Sequence, residues 1–206
     1  MVVAVLGASA GVGTTHSCIA LGHFLGSRYG KVAVVELSVK STAFSRIQEI
    51  AEGSKLGSNR QFEINGIHFW RQTARNEVIP LLGGSYDAVV LDLGSYRDSE
   101  RLEEFLRADL PIVIGSAAEW RQHDLITLAR MLARHPQTNR LYALPMAGAN
   151  PVREMRQVLG TSKVFSLPLQ QDPFEMNDDS QVAFAQMLQD YLPAAEPRRR
   201  FRFRKS

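Results

Sequence analysis

Residues 3–25 read VAVLGASAGVGTTHSCIALGHFL. An apolar run leads into a turn holding Gly7, Gly11 and Gly13, and a helical pattern opens at Thr14, Thr15 and His16. Strand, glycine-rich turn, helix is the order found at the carboxyl edge of open α/β sheets. There the helix N-terminus and free backbone N–H groups favour an anion. Glycines let the chain wrap a phosphate where a Cβ would obstruct it. The candidate binding residues are therefore Ser9, Ala10, Gly11, Val12, Gly13, Thr14, Thr15 and His16. A tight turn that binds nothing is the competing reading, because the pattern also occurs without a ligand.

Outward from this turn, short apolar runs alternate with amphipathic segments. Strands are expected at 2–6, 32–37, 88–93, 111–115, 141–144 and 164–167, and their Val/Ile/Leu runs lack period-2 alternation, as strands covered on both faces do. Helices are expected at 15–28, 41–51, 76–82, 99–107, 120–134, 151–159 and 180–192, the last capped by Asp178, Asp179 or Ser180. The βαβα order implies a single α/β domain with a mostly parallel sheet and helices on both faces. Residues 61–65 and 67–71 form either a hairpin turned at Asn65-Gly66 or one kinked strand. Residues 53–61 read as a mobile loop.

At 206 residues, a single hydrophobic core can serve the chain, so one compact domain is expected. The single cysteine, Cys18, excludes an intrachain disulfide and sits on an apolar helical face. No apolar run approaches the roughly 18 residues of a membrane span. The first basic residue is Arg28, so the apolar start reads as a first strand of a cytoplasmic protein rather than a secretory signal. The five His are scattered, which argues against zinc.

The net charge of +3 conceals an asymmetry. Arg198, Arg199, Arg200, Arg202, Arg204 and Lys205 crowd the last nine residues, and the rest of the chain holds 18 basic against 21 acidic groups. The domain is expected to cover 1–192, followed by a flexible basic tail at 193–206. In the tail, Phe201 and Phe203 alternate with arginines, a period that puts both rings on one face of an extended strand but about 200° apart on a helix. An anionic membrane surface, a partner's sheet edge and, less well, a nucleic-acid backbone all suit this chemistry.

Two families resemble the turn. Read as Gly7-x-x-x-Gly11-x-Gly13, it is similar to the cofactor turn of short-chain dehydrogenases, with Glu36 placed to hold a ribose. That family also needs Tyr-x-x-x-Lys, and no tyrosine here has Lys four residues on. The second resemblance covers nearly the whole chain: the ParA/MinD class of P-loop ATPases, including the TadZ/CpaE branch of pilus-assembly proteins. Ala8-Ser9-Ala10-Gly11-Val12-Gly13-Thr14-Thr15 aligns with G-K-G-G-x-G-K-[ST]. KVAVVELS at 31–38 resembles the second strand, and YDAVVLDLG at 86–94 resembles the Walker B strand ending in Asp92.

The departures carry the functional expectation. The signature lysine falls on Ser9, the Walker lysine on Thr14, and the first glycine on Ala8. The resemblance implies Thr15 and Asp92 as Mg²⁺ partners if ATP or ADP binds, with Asp92 the one candidate for a catalytic role. It also implies a homodimer across the loop. The expectation is a degenerate ParA/MinD-like pseudo-ATPase that binds nucleotide weakly or not at all. It would be a localisation or assembly scaffold with protein partners, for example in pilus or secretion machinery at the inner face of the cell membrane. The alternatives are an active ATPase with a relocated lysine, Lys40 or Lys55, and a dinucleotide-dependent reductase. Trp120, Arg121 and His123 follow the 111–115 strand and are candidates to line the same edge.

Overall fold

In β1 (Val2–Gly7), Val3 and Val5 belong to one buried cluster, and Ala4 and Leu6 to another. In β2 (Val32–Glu36), Val32 and Val34 divide from Ala33 and Val35 in the same way. Both faces of these strands are covered, which is why the apolar runs show no alternation. The computed structural model describes residues 1–38, 40–53, 59–135 and 137–192, with Arg75 described for its backbone only.

The remaining strands are β3 (Gln61–Ile64), β4 (Ile67–Trp70), β5 (Ala88–Ser95), β6 (Leu110–Ile114), β7 (Leu141–Pro145) and β8 (Val164–Leu167). They join β1 and β2 in one sheet of order β3-β4-β2-β5-β1-β6-β7-β8. β3 pairs antiparallel with β4, and the other neighbouring pairs are parallel. The hairpin reading is therefore the right one. Asn65 and Gly66 hold φ of 52° and 80°, the two positive values that a tight two-residue hairpin turn requires.

Among the described residues, seven α-helices cover the sheet. α1 (Thr14–Gly26), α2 (Ala43–Glu52) and α7 (Asp178–Leu188) pack on one face through residues such as Phe24, Leu25, Phe44, Phe184 and Met187. α3 (Arg75–Leu82), α4 (Leu102–Arg107), α5 (Glu119–Leu132) and α6 (Ala149–Leu159) pack on the other through Val78, Phe105, Leu125, Leu128 and Met155. Close approach is built in: a Cβ on Gly22 or Gly26 would fall 2.4 Å from Val34 or Ile67.

Two expected elements differ. Instead of one helix over 99–107, β5 runs on to Ser95, a 3-10 turn covers Tyr96–Asp98, and α4 begins at Leu102. Ser99 is extended, and its hydroxyl accepts from the Arg101 N–H, a local bond that competes with helix there. α7 is capped by Asn177, whose side chain accepts from the Ser180 N–H at 2.8 Å, and its α-helix ends at Leu188. The cap thus lies one residue before the first of the three expected. Most of the expected 53–61 loop, at 54–58, lies outside the described residues.

The sheet order places β1 between β5 and β6. The chain leaves β1 toward β2 on one side and later returns to β6 on the other, so the carboxyl end of β1 is the switch point where such sheets form a crevice.

Candidate phosphate-loop site

Gly7 ends β1, and the loop turns back through Gly11 and Gly13 at φ of 73° and 91°, values that favour glycine. Gly13 is the N-cap of α1, and its carbonyl accepts from the Ser17 N–H at 2.9 Å. No side chain caps the helix, so its first N–H groups are left for other acceptors. The loop is anchored to β6, where the Ala8 N–H donates to the Ile114 carbonyl at 2.8 Å.

Asp92, on β5, is fully buried. Its carboxylate accepts from the Thr15 hydroxyl at 2.6 Å and from the Gly94 N–H at 2.9 Å. Burial holds its carboxyl above the ordinary value, although these two hydrogen bonds oppose the shift. Thr15 and Asp92, expected together from sequence, do meet. They are oxygen donors of the kind a hard divalent cation takes.

A cleft of about 330 Å³ opens at Thr15, while Asp92 lies buried behind it and does not line the cleft. Ser9, Ala10, Gly11, Gly13, Thr14, Thr15 and His16 line one side, with Ser38, Lys40, Ser41, Gly94, Ser95 and Asp98 on the other. Val12, expected among the binding residues, does not line the cleft; it is buried in the core and borders an adjoining cavity of about 280 Å³, walled by Pro145, Met146, Pro168, Leu169 and Gln170, which Gly11, Gly13 and His16 also border. His16 stands between the two spaces. Burial pushes its imidazole below the ordinary value, against the pull of the Gln170 backbone and Asp172, so it brings no fixed charge at neutral pH.

Cations near the loop come from elsewhere. Lys40 lines the cleft but is paired with Asp98. Arg121, in the first turn of α5, lies on the loop itself. Its guanidinium donates to the Gly11 carbonyl (3.4 Å), the Ser9 hydroxyl (3.3 Å) and the Ala10 carbonyl, and it stacks over Trp120 with 5.1 Å to the ring centroid. His123 instead faces Thr127 on its own helix. Lys55 and the tail from Arg198 to Lys205 lie outside the described residues.

Glu36 does not line the cleft. It is fully buried at the end of β2 and accepts from the N–H groups of Phe44 (3.3 Å) and Gln72 (3.1 Å), tying α2 and the chain after β4 to the sheet. A carboxylate committed to backbone donors is not free to hold a ribose, which removes the second support of the dehydrogenase reading. Sequence reasoning also passed over Gln170, whose buried Oε1 has no hydrogen-bond partner while it borders the adjoining cavity.

No family model and no curated protein sequence matches the chain. Solved structures do. A plasmid partition protein of Borrelia burgdorferi bound to AMPPNP aligns over 91% of this chain and 96% of its own, at 14% identity and a TM-score of 0.67. The MinD cell division protein of Aquifex aeolicus aligns over 95% and 99%, at 13% identity and 0.68. The fold is that of ParA and MinD. MinD of Pyrococcus horikoshii with Mg-ADP aligns over 92% and 96%, at 16% identity and 0.60. Identities this low speak for the ParA/MinD architecture; the chemistry rests on the residues themselves.

Proposed function

We propose that this ParA/MinD-like protein binds an adenine nucleotide weakly, hydrolyses it little or not at all, and acts as a localisation or assembly scaffold. One observation carries the reading. The loop keeps its glycine turns, its open helix N-terminus and its Thr15–Asp92 pair, while both lysine positions hold Ser9 and Thr14.

The residues present fit the parts of a nucleotide. Loop and α1 N–H groups suit the phosphates. Thr15 and Asp92 would hold Mg²⁺, which supplies charge neutralisation at the phosphates. The apolar prolines and Leu169 of the adjoining cavity suit a planar base, and the free Gln170 Oε1 suits an exocyclic amino group such as adenine carries. The AMPPNP and Mg-ADP in the two solved relatives support the same reading.

Loss of one hydrogen bond to a charged partner costs about 1.5–3 kcal/mol, or roughly 10- to 150-fold in affinity. Loss of fixed charge on the transition state removes a further ~10²–10³ in rate. Weak binding with negligible turnover follows. The scaffold role rests on the TadZ/CpaE resemblance, which favours a pilus or secretion assembly; a homodimer follows from the wider ParA/MinD resemblance, and attachment to the inner face of the cell membrane from the charge and phenylalanines of the Arg198–Lys205 tail.

Calorimetric titration with Mg-ATP, Mg-ADP and NADPH tests the site. Heat with the adenine nucleotides, no phosphate release, and tighter ATP binding in Thr14→Lys are the expected results. No heat with any ligand, in folded protein, would discard the nucleotide half of the proposal. Turnover at the pace of an ordinary ATPase would discard the pseudo-enzyme half.

A further inference from the structure

We propose that Arg121 is the working cation of the phosphate loop, replacing from α5 the charge that Ser9 and Thr14 no longer supply. The inference rests on the nucleotide reading above and names the side chain that makes it workable. Its observations are separate: three hydrogen bonds from one guanidinium to Ser9, Ala10 and Gly11, residues some 110 positions away in sequence.

The geometry gives Arg121 two effects. In a trans peptide the carbonyl and the following N–H point in opposite directions, so a guanidinium holding the carbonyls of Ala10 and Gly11 turns the N–H groups of Gly11 and Val12 the other way. It thereby fixes the loop's shape. It also lays a permanent positive charge against the loop, since guanidinium does not deprotonate in proteins. Among the described residues lining the cleft, Lys40 is paired with Asp98 and His16 is uncharged at neutral pH. α5 holds Arg121 through a core face of Leu125, Leu128, Ala129 and Leu132, which a change at the partly exposed Arg121 leaves intact.

The test is calorimetric titration of the full chain with Mg-ATP, using wild type, Arg121→Lys, Arg121→Gln and the double variant Arg121→Gln/Thr14→Lys. Arg130→Gln, exposed on the same helix, is the control. Thermal melts establish that each variant is folded. Arg121→Gln is expected to weaken Mg-ATP binding at least about tenfold, the size of one lost charge-assisted bond. Arg121→Lys keeps the charge and loses less. The double variant regains affinity, because a lysine at the loop restores the missing charge. Hydrogen exchange of the ligand-free loop, residues 9–13, is expected to quicken in Arg121→Gln.

Wild-type affinity in Arg121→Gln overturns the inference and leaves the nucleotide reading standing. Weakened binding that Thr14→Lys does not restore overturns the charge role, as does faster exchange without any loss of affinity. Failure of the wild type to bind Mg-ATP overturns the nucleotide reading, and the inference with it.

Discussion

Gly7 shows how little space the loop leaves. A Cβ there would fall 2.2 Å from the Thr14 hydroxyl, 3.1 Å from Val12 Cγ2 and 3.2 Å from the Gly94 carbonyl. Gly7→Ala must push the first turn of α1 away from β5, so a loss of about 1–3 kcal/mol in stability is expected, together with loss of any nucleotide affinity. Urea denaturation and titration of the variant measure both; unchanged values would mean that the helix start yields freely. Glu36 offers a pH readout. Burial raises its carboxyl above the ordinary 4.5, against opposing hydrogen bonds from Ser41, Phe44 and Gln72, and the nearby charge of Asp92 adds to the rise. A raised carboxyl holds its proton more tightly in the folded state than in the unfolded one. Its stabilising contribution is therefore full below 4.5 and falls as pH climbs through the folded value. Glu36→Gln does not titrate. The stability of the variant relative to wild type should rise between about pH 4 and pH 8 in urea denaturation, whatever the pH-independent cost of the amide. A flat difference would mean that Glu36 titrates alike in both states.

Among the elements, α7 is the clearest case of a boundary set by one side chain. Asn177 caps it through the Ser180 N–H, and Asn177→Ala should cost about 1 kcal/mol, visible as a lower melting temperature. No change would shift the capping role to Asp178, Asp179 or Ser180, the residues expected from sequence. That miss has a physical source: four consecutive residues, Asn177 to Ser180, can all cap, and tertiary packing of Phe184 and Met187 selects the register. The parallel strands were legible because they are covered on both faces, and Asn65-Gly66 was legible because the turn needs two positive φ values. The region after β5 was not, since Ser99 makes its own backbone bond where propensity alone predicts helix. The site divides likewise. Residues 9–16 and Asp92 could be read from contiguous motifs. The Arg121 contacts, the Lys40–Asp98 pair and the orphaned Gln170 oxygen depend on which strands lie side by side, and no local pattern encodes that.

At the scale of the whole molecule, the sheet order turns separate segments into one site. With β1 flanked by β5 and β6, the loop after β1 meets Asp92 from one neighbour and Arg121 from the helix after the other. The charge distribution follows a different division. The chain up to residue 197 is slightly acidic, whereas six basic groups and two phenylalanines fill the last nine positions, outside the described residues. Among the described residues no helix is long and apolar enough to cross a membrane. The proposed attachment to a bilayer rests on the chemistry of this tail. Each basic residue near an anionic surface contributes about 1 kcal/mol, and two phenylalanines at the interface add apolar contact. Full-length protein should therefore co-sediment with vesicles rich in phosphatidylserine, and less so as salt is raised, because screening shortens the reach of the charges. Removing residues 198–206 should abolish co-sedimentation while leaving the melting temperature and nucleotide titration unchanged. Replacing Phe201 and Phe203 by Ser separates the two contributions: binding that survives at low salt and vanishes at physiological salt assigns the first contact to charge and its retention to the rings. Equal co-sedimentation of the truncated and full chains would remove the membrane from the proposed role and leave the tail to a protein partner.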